Sequence, residues 1–266
     1  MNSQSKLVEL IRRASFLASG ASRLSFLSPG IALALATLFT IPAAIVHAAE
    51  LPSVDQIVAR MREADEARSA ALEAYTVTRR YELVNHRFKA TGTIVARMNY
   101  KRPGEKEFVI LSETGSRVIR DRVLKRAIAT EEDASHGANR NLARIDLINY
   151  DLKLAGITEE NGHSLLILDL SPKSKSPYLL HGRAWIDQQD YALARVEGTL
   201  AKKPSPFIGA PVVRQVYQKR GLFWVPDRNV SVTDAPIFGK TDLVIESTEY
   251  EIRPLTDSTQ ISASLP

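Results

Sequence analysis

The sequence contains no cysteine. That one absence removes disulfide frameworks, thiolate zinc sites, iron-sulfur clusters, cysteine nucleophiles and a lipid-modified N-terminal cysteine together. The Gly-x-Ser-x-Gly elbow, the phosphate-cradling P-loop and Gly-x-Gly-x-x-Gly are missing as well, so the reading is of a non-enzyme without a cofactor. His86, His136, His163 and His181 stand singly, with no His-x-His or His-x-x-x-His pair to set two imidazoles on one metal. Asp187 and Asp190 flank a tight turn, where a carboxylate bonds nearby backbone N–H groups; a catalytic pair is the alternative.

Excess charge is also scarce. Lys+Arg 35 against Asp+Glu 30 gives +5 over 266 residues. Lys6, Arg12, Arg13 and Arg23, less Glu9, supply +3 of it within the first 48 residues, so the remaining 218 residues (266 − 48) carry +2 (5 − 3). With no dense basic stripe interleaved with aromatics, nucleic acid is disfavoured as a partner.

Long apolar runs are limited to Ile31–Val46, 16 residues that include Pro42, short of the roughly 20 a spanning helix needs. Basic residues precede this run, and Val46-His47-Ala48 follows as a small-x-small cleavage site. The order predicts a cleavable signal peptide over residues 1–48 and a single soluble domain over 49–266, with a retained membrane anchor as the alternative. A core of that size buries roughly 70% of its unfolded surface and needs no disulfide.

What is present is periodicity. Ser53 and Gln56 form a capping box, and Ile57, Met61, Ala64 and Arg68 follow at helical spacing, which predicts a helix over 54–73. The period then changes to two. Tyr75, Val77, Arg79, Tyr81 and Leu83 alternate with Thr76, Thr78, Arg80 and Glu82; Ile94, Ala96, Met98 and Tyr100 alternate with Val95, Arg97 and Asn99; a third strand runs from Glu107 to Ser112. Short turns between them make the three strands antiparallel. Ser116 is placed as the N-cap of a helical insert over 117–145, with Val118, Ile119, Val123, Leu124 and Ile128 as its apolar stripe and a second start at Thr130. Strands resume near 147–156, 163–171, 179–187, 191–201, 211–220, 222–225, 229–236 and 241–252, with turns at Asn161-Gly162, Gln188-Gln189 and Arg220-Gly221.

This pattern predicts a mainly β (α+β) fold: one large curved antiparallel sheet with an apolar face and helices on its concave side. The residues assigned to that face, as the wall of an apolar cavity, are Val77, Tyr81 and Leu83; Ile94, Ala96 and Met98; Phe108 and Ile110; Leu166, Leu168 and Leu170. Arg79 shares the face and could bond a helical lid or a ligand's polar head.

The order of these elements, together with the hairpin Gly182-Arg183-Ala184-Trp185-Ile186-Asp187 followed by Tyr191 to Gly198, resembles the LolA-like superfamily of outer-membrane lipoprotein carriers. The resemblance covers roughly residues 50 to 253. It implies an incomplete β-barrel with helices over an apolar cavity, in a periplasmic protein that binds the acyl chains of a lipoprotein or other lipid. Such a carrier receives its cargo from an inner-membrane donor and delivers it to an outer-membrane acceptor. The same fold also accommodates a non-enzymatic envelope sensor or protein-interaction module.

Overall fold

The computed structural model describes residues 51–102, 104–135, 141–202, 209–236 and 239–255. The expected signal peptide, His136, Pro103, Pro204 and Pro206 lie outside them. Helix α1 (Val54–Ala71) opens with the expected capping box: Gln56 N donates to Ser53 Oγ at 3.3 Å and Ser53 N to Gln56 Oε1 at 2.8 Å. Two orphan N–H groups are thereby satisfied reciprocally.

Ten strands follow: β1 (Leu72–Asn85), β2 (Ala90–Lys101), β3 (Glu105–Gly115), β4 (Tyr150–Glu160), β5 (His163–Pro172), β6 (Leu180–Asp187), β7 (Leu193–Leu200), β8 (Val212–Arg220), β9 (Phe223–Ala235) and β10 (Gly239–Pro254). They form one antiparallel sheet that is not closed, in the order β3-β2-β1-β10-β9-β8-β7-β6-β5-β4. The two segments expected at 222–225 and 229–236 are one strand. Tyr217 pairs with Pro226 and Val216 with Arg228, so Asp227 is an extra residue. A bulge there lets proline, which has no N–H for the ladder, sit inside β9.

Topology explains why helices cover the sheet. β3 and β4 are its two opposite edges, so the chain from Ser116 to Asn149 has to travel from one edge to the other. It begins with α2 (Arg117–Ile119), passes through a π-helical turn (Arg120–Leu124) and continues as α3 (Lys125–Ser135). Three expectations for this insert are corrected. Thr130 starts no helix; it lies inside α3 with its hydroxyl donating to Arg126 O at 2.8 Å. Ser116 is the N-cap residue by backbone but its side chain makes no cap bond. Of the five apolar residues, Ile119, Leu124 and Ile128 are buried while Val118 and Val123 are exposed. The wider π-turn rotates the helix so that residues five apart, Ile119 and Leu124, share the inner face.

The core divides in two. Under α1, Ile57 packs with Leu166, Leu168, Leu170, Leu179, Ile186 and Tyr150 of the β4–β7 region. Under the insert, Tyr81, Leu83, Ile94 and Ala96 pack with Ile119, Leu124 and Ile128, and the adjoining Val77 and Met98 pack with Tyr75, Phe223 and Val225. The outer face is not wholly polar: Leu165, Trp185 and Ala194 form a small cluster there, with the Arg195 guanidinium 3.9 Å above the Trp185 ring.

Candidate functional site: a trough along helix α1

The alternation that singled out the concave face placed its residues correctly inside, but they fill space rather than enclose it. Val77, Tyr81, Ile94, Ala96, Met98, Leu166, Leu168 and Leu170 are at most 1% exposed, and Leu83 is also buried. Phe108 is half-buried and bridges the two clusters under the insert. Ile110 differs from the expectation: it is 40% exposed. It lies on the edge strand beside Leu111, the extra residue where the β2–β3 register shifts.

Arg79 is 4% exposed and bound to the helical insert. Its Nη1 donates to Glu131 Oε1 of α3 at 2.6 Å, and Lys106 Nζ of β3 reaches the same oxygen at 2.8 Å. Burial pushes the Glu131 carboxyl up, but Lys106 and Arg79 pull it down further, to about 2. Glu113 of β3 makes a second tie, to Arg120 at 2.8 Å and Lys125 at 3.0 Å. The insert is thus latched over β1–β3 by two carboxylates, each held by two cations.

The open space is elsewhere. A cavity of about 850 Å³ runs between α1, the segment 141–149 and the inner faces of β6, β7 and β8. Along α1 it extends from Asp55 to Arg68, about 20 Å at the helical rise per residue. Its floor is apolar, with Leu180, Leu193 and Val196 of the sheet, Met61 and Ile145 face it from α1 and segment 141–149, and four tyrosines join the lining: Tyr150, Tyr178, Tyr191 and Tyr217. None of the eleven residues assigned from sequence to the cavity lines it. Tyr217 is partly open to the trough yet enclosed by protein, and burial pushes its phenol up to about 12. It stays a neutral hydrogen-bond donor at any physiological pH.

Helix α1 and segment 141–149 form two walls of this cavity. Only Ile57 and Ala71 of the 18 residues of α1 are buried. Two of its ties run to the β6–β7 turn, where Arg68 Nη1 donates to Asp190 O at 2.8 Å and Arg60 Nη1 to Tyr191 Oη at 3.1 Å, and its C-terminal end accepts from Arg102 Nη1 at Ala70 O and from Leu255 N at Ala71 O. Asp187 stabilises that turn by accepting from Gln189 N and Asp190 N at 3.1 and 2.7 Å, with His163 Nδ1 2.7 Å from its other oxygen. Asp190 takes Trp224 Nε1 and Lys219 Nζ at 2.7 and 2.6 Å. Asp187 therefore has the turn role read from the sequence, whereas the Asp190 carboxylate ties the turn to side chains of β8 and β9 instead of bonding backbone N–H groups.

Segment 141–149, expected as helix up to 145 and as strand from 147, is instead a flap with one 3-10 turn, held by its own side chains and by Lys173, which donates to Leu147 O and Asn149 O. Asp146 Oδ1 accepts from Ile148 N and Asn149 N at 3.1 and 2.9 Å, and Asn149 Nδ2 donates to Asn141 O and Arg144 O at 2.9 and 3.0 Å. Ile148 at its tip is 83% exposed. The sequence held one unused signal for this wall: Val58 of α1 adjoins the assigned stripe and widens it toward a second neighbour, which is the trough.

No family model matches the chain, and no curated protein matches it. Solved structures do. An outer membrane lipoprotein-sorting protein domain from Vibrio parahaemolyticus is 12% identical, with 76% of this chain and 97% of that one covered at a TM-score of 0.42. A DUF1329 family protein from Desulfovibrio piger ATCC 29098 is 11% identical, covering 81% and 100% at 0.37. A LolA superfamily protein from Nitrosomonas europaea is 12% identical, covering 78% and 97% at 0.35. Among the described residues no helix is long and apolar enough to cross a membrane. The solved structures similar to this chain include LolA-superfamily and lipoprotein-sorting proteins, the group that its sequence resembles.

Proposed function

We propose that this chain is a non-enzymatic carrier of the cell envelope. In this reading it binds the acyl chains of a lipoprotein or other lipid in the trough along α1 and passes them toward the outer membrane. The observation that carries the reading is the trough itself: about 850 Å³ of open space with an apolar floor, walled by a helix with two buried residues. That volume lies within the range of small-molecule sites. Each methylene buried there contributes roughly 0.8 kcal/mol, so about a dozen contribute roughly 10 kcal/mol before ordering costs. The reading includes export and cleavage after Ala48, and exchange with a donor at the inner membrane and an acceptor at the outer.

A fluorescent fatty-acid probe is expected to bind the folded chain at micromolar levels and to be displaced by unlabelled acyl chains. Absence of saturable probe binding to the folded protein would sink the carrier reading. The second reading, an envelope sensor or protein-interaction module, is favoured by the packed state of Val77, Met98 and Ile94, which fill the β1–β3 side of the sheet with its own side chains.

A further inference from the structure

The trough is not lined by apolar groups alone. Three basic and three acidic residues face it: Arg62, Arg68 and Arg144, with Asp55, Asp65 and Asp146. Their formal charges cancel, but their commitments do not. Asp146 spends a carboxylate oxygen on two backbone N–H groups of the flap. Asp65 lies three residues before Arg68 on α1 and offsets its charge, while Arg68 also donates to Asp190 O. Asp55 stands in the first turn of α1, where the positive end of the helix compensates it.

Two cations are left over. Arg62 Nε is 3.9 Å from Glu66 with both side chains about two-thirds exposed (69% and 67%), beyond hydrogen-bond reach. Arg144, half-buried on the flap, has a guanidinium with no hydrogen bond or ion pair among the described residues. A partly desolvated guanidinium without a partner carries a cost that an anion would relieve, and its planar fork suits carboxylate and phosphate oxygens.

We infer that the trough takes an amphiphile whose head is an anion, a phosphate or a carboxylate, held between Arg62 of α1 and Arg144 of the flap. The inference rests on the acyl-binding reading and adds the head group to it. Because the two arginines line the same cavity from different elements, an anion bound by both also ties the flap to α1 once the chain is in place. The neutral floor receives the hydrocarbon, and Tyr217 offers a further uncharged donor deeper in the wall.

The test is isothermal titration of the purified chain with amphiphiles of equal chain length below their micelle thresholds: dodecyl phosphate, dodecanoate, monododecanoylglycerol and dodecyltrimethylammonium. The anions are expected to bind about tenfold tighter than the glycerol ester, a preference that weakens as salt screens the arginines. Arg144→Gln and Arg62→Gln should each remove part of the preference, and together all of it, so that in the double variant the anions bind no tighter than the glycerol ester does to the same variant. A higher affinity for phosphate names a phospholipid-type head, and equal affinity of the two anions a carboxylate or phosphate without distinction; both support the inference. Equal binding of anionic and neutral amphiphiles, or a preference that survives in the double variant, overturns the head-group inference and leaves the acyl reading standing. Failure of all the amphiphiles overturns the acyl reading, and the head-group inference falls with it.

Discussion

The β1–β3 side of the sheet and the β4–β8 side carry the same alternation of apolar and polar residues, yet they end in different states. Over β1–β3 the π-turn brings Ile119 and Leu124 down together, and Glu131 and Glu113 pin the insert to Arg79, Lys106, Arg120 and Lys125. Over β4–β8 Ile57 of α1 joins the core with Met61 packed partly buried against it, and open space remains along the neighbouring part of that helix face. The difference teaches that an apolar strand face becomes a core or a cavity according to what crosses it. Covering it with a helix matched to its shape yields a core. Covering it with a helix that packs few side chains against it yields a site.

Breaking the latch has the largest expected effect. Glu131→Gln leaves Arg79 and Lys106 facing a neutral amide, and losing one partner of such a buried pair costs about 3 kcal/mol or more. Urea unfolding measures it, and a loss well under 1 kcal/mol would show that the latch is decorative. The same group predicts a pH window. Its folded pKa, about 2, lies below the ordinary 4.5, so its stabilisation is complete above 4.5 and is lost as pH falls toward 2. In Glu131→Gln that portion of the acid sensitivity should be absent.

Leu168→Ala tests the packed floor and is expected to cost about 2 to 5 kcal/mol, the range for truncating a filled core. A cost under 1 kcal/mol, with tighter probe binding, would mean that Leu168 borders a ligand space after all. Ser53→Ala removes the capping box of α1 and should cost about 1 kcal/mol. Because α1 is one wall of the trough, the probe's dissociation rate should rise in this variant, and an unchanged rate would argue that α1 does not move when cargo leaves. The smallest effect on stability sharpens the contrast most. Val58→Trp points an indole into open space, so the urea midpoint should shift by no more than about 0.5 kcal/mol. Probe affinity should nevertheless fall at least about tenfold, since the indole occupies the volume the chain needs. A large stability loss would instead show that the trough is closed in solution.

Much of the fold was legible because it is encoded locally. The capping box at Ser53 and the turn at Asn161-Gly162, whose positive φ values of 52° and 80° suit those residues, were read directly from the sequence. So was the burial of Leu166, Leu168 and Leu170, because a period of two fixes which face a strand residue occupies. The misreadings came from one-residue departures from regular period. Asp227 in β9 and Leu111 in β3 are bulge residues, and the π-turn at Arg120–Leu124 shifts a helical stripe; each moves neighbouring side chains without altering composition.

The sequence by itself determined the class of fold and, outside the bulges of β3 and β9, the inward face of the strands, because propensity, turn chemistry and periodicity act over a few residues. It also determined which chemistries are absent. Only the tertiary structure decided that β1 pairs with β10, which makes β3 and β4 the two edges and drives the insert across the concave side. From that pairing follows the rest: Arg79 meets Glu131 across 52 residues of sequence, and Arg68 meets the β6–β7 turn across 122. Whether side chains meet at such separations depends on the curvature and closure of the whole sheet, and no local pattern carries that information. The same long-range geometry left the trough open beside α1 while the neighbouring face filled.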